Sequence, residues 1–288
     1  MQFSFKKLGI SSGAKRIVVL DDEDAFELGA KPGDRVRVFA HTTQGKKIDP
    51  GKIAIVDIAT NNETLPCGTI GLYDEVYNQL QLANKFNKIS IFLSSKPTSF
   101  IAIKDKIRGH ELSSQQIQEI VNDCTNERLL DIEKAAFIIG LEVRGATDHE
   151  IVDLTNAMAN SGEILDFGDE VYDKHSTGGV PGNKVTLIIV PIIAAAGLFI
   201  PKTSTRAITS PSGTADSFEV LAPVAFSKSK VLEILKTEKA GILWGGALDS
   251  APADNALIRI EKPLTMDPFP LMIASIICKK MAMGVKKL

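Results

Sequence analysis

The stretch DKHSTGGVPGNK, from Asp173 to Lys184, runs directly into the apolar segment VTLIIVPIIAAAG. Its glycines let the backbone approach a ligand closely, and the apolar segment predicts a helix that begins near Asn183. The free N–H groups and positive dipole at the start of such a helix favour an anion. Lys174 and Ser176 can add charge-assisted hydrogen bonds. The spacing fits neither a Walker loop nor a Rossmann loop, and a glycine-rich connecting turn stays open as the alternative.

Composition limits the class of protein. The chain has 288 residues, 44% of them apolar, and a net charge of −2, so it can bury a large core and has no bulk attraction for nucleic acid or an anionic membrane. Its three cysteines are far apart and lack a C-x-x-C pair, which argues against a disulfide framework and a zinc site. No apolar leader or membrane-length run is present. We therefore expect a cytoplasmic protein without a cysteine-based zinc site.

The pattern of short runs divides the chain into three regions. Short β-branched runs separated by turn clusters predict a small β-barrel over residues 1–95. Amphipathic periodicity predicts an α-helical domain over 98–162. We expect residues 253–284 to belong to the same domain. Between them, apolar runs alternate with glycine turns, which is typical of an α/β domain over 166–252.

Three helices of the α-helical region have recognisable boundaries. Ser113 and Gln116, like Thr147 and Glu150, have the spacing of a capping box, and the helix between these two pairs ends at Gly145. The first helix places four apolar residues on one face: Ile117, Ile120, Val121 and Cys124.

Two further segments contain polar groups suited to binding. KTSTRAITSPSGTAD, from Lys202 to Asp216, surrounds Arg206 with hydroxyls, although a solvated loop has the same composition. In TMDPFPLMIASIICKK, Ser275 and Lys279 are four residues apart and share one helix face, with Asp267 just ahead of the helix. A helix cap at Asp267 and a surface lysine are the simpler reading of that segment.

Together, the three segments resemble the signature of the nucleoside phosphorylases of the thymidine phosphorylase type, and in particular the archaeal AMP phosphorylases. The V-P-G-N-K loop, the T-S-x-R-A-I-T-S-x-x-G-T-A-D segment and the stretch WGGAL…APAD, from Trp244 to Asp254, carry the resemblance. It implies an α/β multidomain fold: a small N-terminal β-barrel, an α-helical domain and the first part of an α/β domain of the nucleoside phosphorylase type.

The resemblance also implies an activity, in which AMP, or also CMP and UMP, reacts with inorganic phosphate to give the free base and ribose 1,5-bisphosphate. The resemblance implies no cofactor. It also implies a homodimer or a higher homo-oligomer. Asp267 matches the proton donor. The positions that match the phosphate site are Lys174, His175, Ser176, Ser204 and Thr214. Those that match nucleotide contacts are Gly179, Thr205, Arg206, Ala207, Ile208, Thr209, Ser210, Thr214, Ser275 and Lys279.

Two features depart from the family pattern. The thymidine enzymes have an arginine seven residues before the Asp267 position, where this chain has Ile260; the neighbouring Arg259 is expected to point elsewhere. The family's chains also continue well past Leu288. We therefore expect a fragment or one half of a split enzyme, completed by a companion polypeptide, because an unfinished sheet exposes strand edges and apolar surface.

Three alternatives remain open. The substrate can be thymidine or uridine without a 5′-phosphate; the enzyme can resemble anthranilate phosphoribosyltransferase, which needs an acidic magnesium-binding pair not seen near Gly178; or the chain can bind nucleotide or phosphate without catalysis. Outside these segments, we predict that Cys278 lies in the core and that His41, His110 and His149 lie at the surface.

Overall fold

The computed structural model forms two compact units, Met1–Lys96 and Pro97–Leu288. The residues that it describes are 1–13, 15–42, 44–47, 51–60, 65–80, 86–165, 167, 170–175, 185–204, 206–207, 212–248 and 250–288.

The first unit is a closed six-stranded barrel with two short helices, α1 (Asp22–Leu28) and α2 (Asp74–Gln79). Around the barrel the strands follow the order β1-β5-β2-β4-β3-β6. Their bounds are β1 Gln2–Lys7, β2 Ile17–Asp21, β3 Arg35–Thr42, β4 Lys52–Ala59, β5 Thr69–Leu72 and β6 Phe86–Leu93. The predicted β-barrel is confirmed.

The barrel interior follows the alternation of its strands. In β3, Val36, Val38 and Ala40 point inward and are fully buried, as strand geometry requires of every second residue. His41 is also buried, so the prediction of a surface position for it is wrong. Its Nε2 lies 2.8 Å from Ser90 Oγ on the neighbouring strand β6, and the backbone of His41 pairs with β6 on one edge and with Lys47 on the other.

The second unit contains a bundle of six helices, four from its start and two from its end, and this bundle holds the most extensive apolar cluster of the unit. Both predicted capping boxes are present, and the four predicted apolar residues of α4 are buried with Cys278. His110 and His149 are exposed, as predicted. The helices are α3 Ser99–Ile107, α4 Ser114–Thr125, α5 Asp131–Arg144, α6 Asp148–Ala159, α11 Pro252–Leu264 and α12 Phe269–Ala282.

The rest of the second unit is an α/β layer. Strands β7 (Ile200–Ser204) and β8 (Ala240–Trp244) are parallel, with Ser204 opposite Trp244. Parallel bridges from Val171 to Phe199 and from Tyr172 to Lys287 extend the layer on one side. Its helices are α7 Val185–Ala195, α8 Thr214–Glu219, α9 Lys228–Glu238 and α10 Gly245–Leu248. Among the described helices, none has both the length and the apolar character needed to cross a membrane.

A buried ion pair joins α3 to α6. Lys106 Nζ lies 2.7 Å from each carboxylate oxygen of Glu150, and Glu150 also accepts hydrogen bonds from the backbone N–H groups of Leu112 and Thr147, each at 2.9 Å. Burial raises the pKa of Glu150, but the bonds from Lys106 and the two N–H groups outweigh it, so the net pKa is lowered.

We predict that Glu150→Ala lowers the free energy of unfolding of this unit by about 3–5 kcal/mol, because it leaves the Lys106 ammonium buried without a partner. The single tryptophan, Trp244, lies in this unit, so urea denaturation followed by its fluorescence measures the change. Asp148→Ala, at an exposed position in the first turn of the same helix, is the control and should change stability little.

The lowered pKa of Glu150 also fixes the sign of a pH dependence. The ionised carboxylate stabilises the fold above the ordinary carboxyl range, and this contribution is lost as the pH falls through the folded-state pKa. The destabilisation caused by Glu150→Ala should therefore shrink in acid. An equal effect at neutral and strongly acidic pH would contradict the role of the ion pair.

Candidate functional site

The polar residues singled out in the sequence gather where the parallel strands end. Asp173, Lys174 and His175 follow the bridging segment at Tyr172, whereas Ser204 ends β7 and is followed by Arg206. Thr214, which is buried, begins α8. Ligands of open α/β sheets bind beyond the carboxyl ends of the strands, so this edge is the place to look for a site.

Asp173 is the centre of the charge arrangement at this edge. Its side chain is fully buried, with Lys280 Nζ 2.5 Å from Oδ2 and Lys202 Nζ 3.8 Å from Oδ1. Lys280 also donates to the carbonyl oxygen and to the hydroxyl of Thr203, at 3.0 and 3.1 Å. Because Lys280 lies on α12 and Thr203 on β7, these contacts fasten the helical bundle to the sheet edge.

Positive charge exceeds negative charge around Asp173. Lys279, next to Lys280 on α12, forms a buried ion pair with Asp254, so each of the two aspartates has a lysine partner. Lys174 and Lys202 add two further cations to the same cluster. Three buried lysines and the half-buried Lys174 outnumber the two buried aspartates, so the cluster has a net positive charge, which an anion would compensate.

The pKa values reflect this excess of positive charge. Burial and the charges of Lys202, Lys280, Lys174 and Lys279 lower the pKa of His175 to about 3, so this imidazole is neutral at physiological pH. Burial and Lys280 lower the pKa of Lys202 to about 7, although Asp173 opposes the shift. The pKa of Lys174 is lowered by burial, which outweighs the attraction of Asp173. An anion bound here would raise the pKa of all three groups.

Lys202 is a member of the cluster that sequence reasoning missed. It lies in the middle of β7 and is almost completely buried, donating to the carbonyl oxygen of Thr203 at 2.6 Å. A lysine inside the apolar run FIPKTS was the available signal, because a charged residue is buried only where it has a partner.

Arg206 is held by carboxylates. Its guanidinium donates to Glu219 through two nitrogens, at 2.6 and 2.8 Å, and to Asp216 at 3.1 Å. It also lies 4.7 Å from the ring centre of Trp244, within the range of a cation–π contact. The planar fork expected to hold a phosphate therefore binds two acidic side chains in this structure.

Asp216 also organises the backbone beside Arg206. Its Oδ2 accepts from the N–H groups of Ala207 and Gly213, at 2.8 and 2.9 Å, and so links these two positions of the hydroxyl-rich segment. Burial raises the pKa of Asp216, but the hydrogen bonds from these N–H groups and the charge of Arg206 outweigh burial. The net pKa is lowered, so the carboxylate stays ionised.

Asp267 is half-buried just ahead of α12. Pro268, not Asp267, is the N-cap residue, and no side chain caps this helix, so the reading of Asp267 as a helix cap is wrong. Burial, together with the charges of Asp254 and Glu142, raises its pKa, although Lys279 opposes the shift. Glu261, a buried residue that sequence reasoning missed, has its pKa raised to about 8 by burial, Asp267 and Asp254. This part of the site favours protonated carboxyl groups.

Other predicted residues occupy the following places. Lys279 Nζ donates to Ser275 Oγ at 2.8 Å, which agrees with their predicted position on one helix face. Arg259 points toward Glu127 and Asp131, at 3.9 and 3.6 Å, while Ile260 packs into the bundle core. The candidates outside the described residues are Ser176, Gly179, Thr205, Ile208, Thr209 and Ser210.

Comparison with protein families gives two matches in sequence. The model described as "Glycosyl transferase family, helical bundle domain" matches residues 101–162, and the one described as "Glycosyl transferase family, a/b domain" matches residues 168–287. Together they account for most of the second unit, and the a/b match also takes in α11 and α12, which pack into the helical bundle.

Curated relatives match along almost the whole chain. AMP phosphorylase 1 of Archaeoglobus fulgidus is 46% identical over 289 residues, which cover 99% of this chain and 55% of the relative. AMP phosphorylase of Methanosarcina mazei is 44% identical over 287 residues, covering 99% of this chain and 54% of the relative. The chain thus spans about half the length of the curated relatives that it matches.

Among solved structures, anthranilate phosphoribosyltransferase (TrpD) from Thermus thermophilus aligns with a TM-score of 0.51 and 21% identity, covering 64% of this chain and 55% of that one. This likeness concerns the fold alone. With the barrel, the bundle and the family models, it confirms the predicted fold class. The chain is similar over almost its whole length to about half of each AMP phosphorylase that it matches, and it belongs to the glycosyl transferase family whose helical-bundle and a/b domains it contains.

Proposed function

We propose that this chain provides the phosphate- and nucleotide-binding part of a site for the phosphorolysis of AMP. The observation that carries the proposal is the excess of buried positive charge at the carboxyl ends of the strands, where Lys174, Lys202 and Lys280 surround one aspartate. Inorganic phosphate is a compact anion of the charge that such a cluster attracts. The naming of the relatives as AMP phosphorylases supports AMP as the second substrate.

In the proposed reaction, a phosphate oxygen forms a bond to C1′ of the ribose while the glycosidic bond breaks. The products are adenine and ribose 1,5-bisphosphate, and the electron pair of the broken bond leaves with the base. The lysine cluster holds the phosphate so that its attack needs no further ordering, which lowers the entropic part of the barrier. His175 is neutral, so it can hydrogen-bond beside the sugar without repelling the lysines. The proposal involves no cofactor.

Asp267 is the proposed proton donor to the leaving base. Donation requires the protonated carboxyl group, and burial with the surrounding acidic charge raises its pKa in that direction. A protonated leaving base lowers the charge that develops as the glycosidic bond breaks, which makes departure easier.

The remaining candidates are assigned through the family resemblance. Arg206 takes the 5′-phosphate of AMP after exchanging its Glu219 and Asp216 partners, since guanidinium binds phosphate in the same forked geometry as carboxylate. We assign the phosphate nucleophile to Lys174, His175, Ser176, Ser204 and Thr214, and the nucleotide to Gly179, Thr205, Arg206, Ala207, Ile208, Thr209, Ser210, Thr214, Ser275 and Lys279. CMP and UMP, a homo-oligomer and a companion polypeptide remain predictions.

The test of the proposed function is base release from AMP, CMP, UMP, adenosine and thymidine, each with and without phosphate. We expect phosphate-dependent release from AMP and none from adenosine. Calorimetric titration with phosphate and AMP accompanies the assay, because the chain spans about half the length of its relatives. Binding without turnover would identify a non-catalytic binder, release from thymidine would identify a nucleoside enzyme, and the absence of both binding and turnover would overturn the proposal.

We predict that Lys174→Ala weakens the binding of phosphate more than the binding of AMP, because the lysine acts as a point charge on the free anion. Loss of a charged hydrogen bond costs about 1.5–3 kcal/mol, or roughly 10- to 150-fold in phosphate affinity. Calorimetry with each ligand measures the two changes. Lys236→Ala, at an exposed position on α9, is the control and should bind phosphate like the wild type. Unchanged phosphate affinity in Lys174→Ala would remove the lysine from the site.

We predict that Asp267→Asn lowers kcat about 10²- to 10⁴-fold with AMP affinity largely kept, as expected for loss of a general acid. Because the pKa of Asp267 is raised, the active protonated form persists above the usual carboxyl range, and kcat should fall as the pH rises through that pKa. Asp267→Asn should abolish this limb of the pH profile. A merely structural role predicts lower thermal stability with the limb retained.

A further inference from the structure

Three side chains of the barrel form a cluster that lies outside the proposed site. Asp21 ends β2, Asp24 lies in the first turn of α1, and Cys67 lies just before β5. One ligand atom from each residue lies within 4.8 Å of the other two. We propose that Asp21, Asp24 and Cys67 bind a divalent transition metal ion such as Zn²⁺ through two carboxylates and a thiolate.

Burial of the two carboxylates is the first observation that favours a cation. Asp21 is 0% exposed and Asp24 is 4% exposed. Within the described part of the chain, neither of them forms an ion pair with a lysine, arginine or histidine. Two buried like charges repel each other and lose their hydration, and buried charges in proteins are normally paired or coordinate a metal. A bound cation would remove both costs.

The hydrogen bonds of the cluster leave one oxygen available. Asp21 caps α1 through Oδ1, which accepts from Glu23 N–H at 3.0 Å. Asp24 accepts from Gly68 N–H through Oδ2 at 2.7 Å and from the Cys67 thiol through Oδ1. Asp21 Oδ2, in contrast, is buried and has no hydrogen-bond partner. Helix capping, the Gly68 N–H and the Cys67 thiol thus account for the other three carboxylate oxygens but not for this one.

The distance between Cys67 and Asp24 suits a tetrahedral metal. Cys67 Sγ lies 3.5 Å from Asp24 Oδ1. A tetrahedral ion with oxygen at about 2.0 Å and sulfur at about 2.3 Å separates these two ligands by about 3.5 Å. The metal would take the position of the thiol proton between the two atoms. Cys67 is exposed, which gives an ion access from solvent and leaves room for water as the fourth ligand.

The donor atoms also indicate the class of metal. One thiolate with two carboxylates favours a borderline ion such as Zn²⁺ or Co²⁺ over Mg²⁺ and Ca²⁺, which prefer oxygen ligands. Desolvation, the hydrogen bond to Asp24 and the carboxylates around it raise the pKa of the Cys67 thiol. When the metal–sulfur bond forms, the thiol proton is released to solvent, so binding should strengthen as the pH rises.

The experiment is a titration of the whole 288-residue chain, without an affinity tag, with Co²⁺. We expect one Co²⁺ per chain, an absorption band from thiolate-to-cobalt charge transfer, and loss of that band when Zn²⁺ displaces Co²⁺. Cys67→Ser should abolish the band. Asp21→Asn should weaken binding at least tenfold, since outer-shell changes alone cost about 10- to 100-fold. Asparagine still caps a helix, so this variant keeps α1 in place.

Asp22→Asn is the matched control, because Asp22 is an exposed neighbour in the same turn that is not part of the cluster. It should bind Co²⁺ like the wild type. The other cysteines, Cys124 and Cys278, are fully buried in the second unit and give no band. A wild-type chain without the thiolate band, or equal Co²⁺ affinity in Cys67→Ser, Asp21→Asn and Asp22→Asn, would overturn the proposal.

Discussion

The buried carboxylate of Asp173 is the constraint on which the arrangement of the α/β edge depends. It contacts Lys280 from α12 and Lys202 from β7, and thereby lets two ammonium groups remain close together away from water. One carboxylate cannot neutralise both, so the edge keeps the positive charge that makes it suited to an anion. Removing this carboxylate would leave like charges facing each other, and the hydrogen bonds from Lys280 to Thr203 would then have to hold α12 to β7 without the ion pair.

Helix α12 connects the two chemical requirements of the proposed reaction. Asp267 precedes the first turn of α12, and Lys280 lies in its last turn. Between them, Lys279 binds Asp254 and Ser275. The carboxyl group that must stay protonated and the lysines that attract an anion are therefore positioned by one rigid element, and Lys279 separates an acidic region from a basic one.

The sequence predicted correctly those features that depend on residues close together in the chain. The capping boxes at Ser113 and Thr147 and the apolar face of α4 follow from residues within one or two turns, and all are present. Lys202, Glu261 and the Glu219 partner of Arg206 were not predicted, because their roles depend on residues that only the tertiary fold brings together. His41 was misjudged for the same reason: its neighbour Ser90 lies on a strand 49 residues away. The proposed metal-binding site likewise joins residues from β2, α1 and the turn before β5.

The strand order of the barrel has a consequence for how the chain folds. Each of the six pairings joins one of β1, β2 and β3 to one of β4, β5 and β6. The first 42 residues thus contain three strands with no native partner among themselves. During synthesis they must wait until β4, beginning at Lys52, has left the ribosome. Such non-local pairing makes barrel formation slow compared with a helical bundle, so the N-terminal unit is not the first part of the chain that we expect to complete its fold.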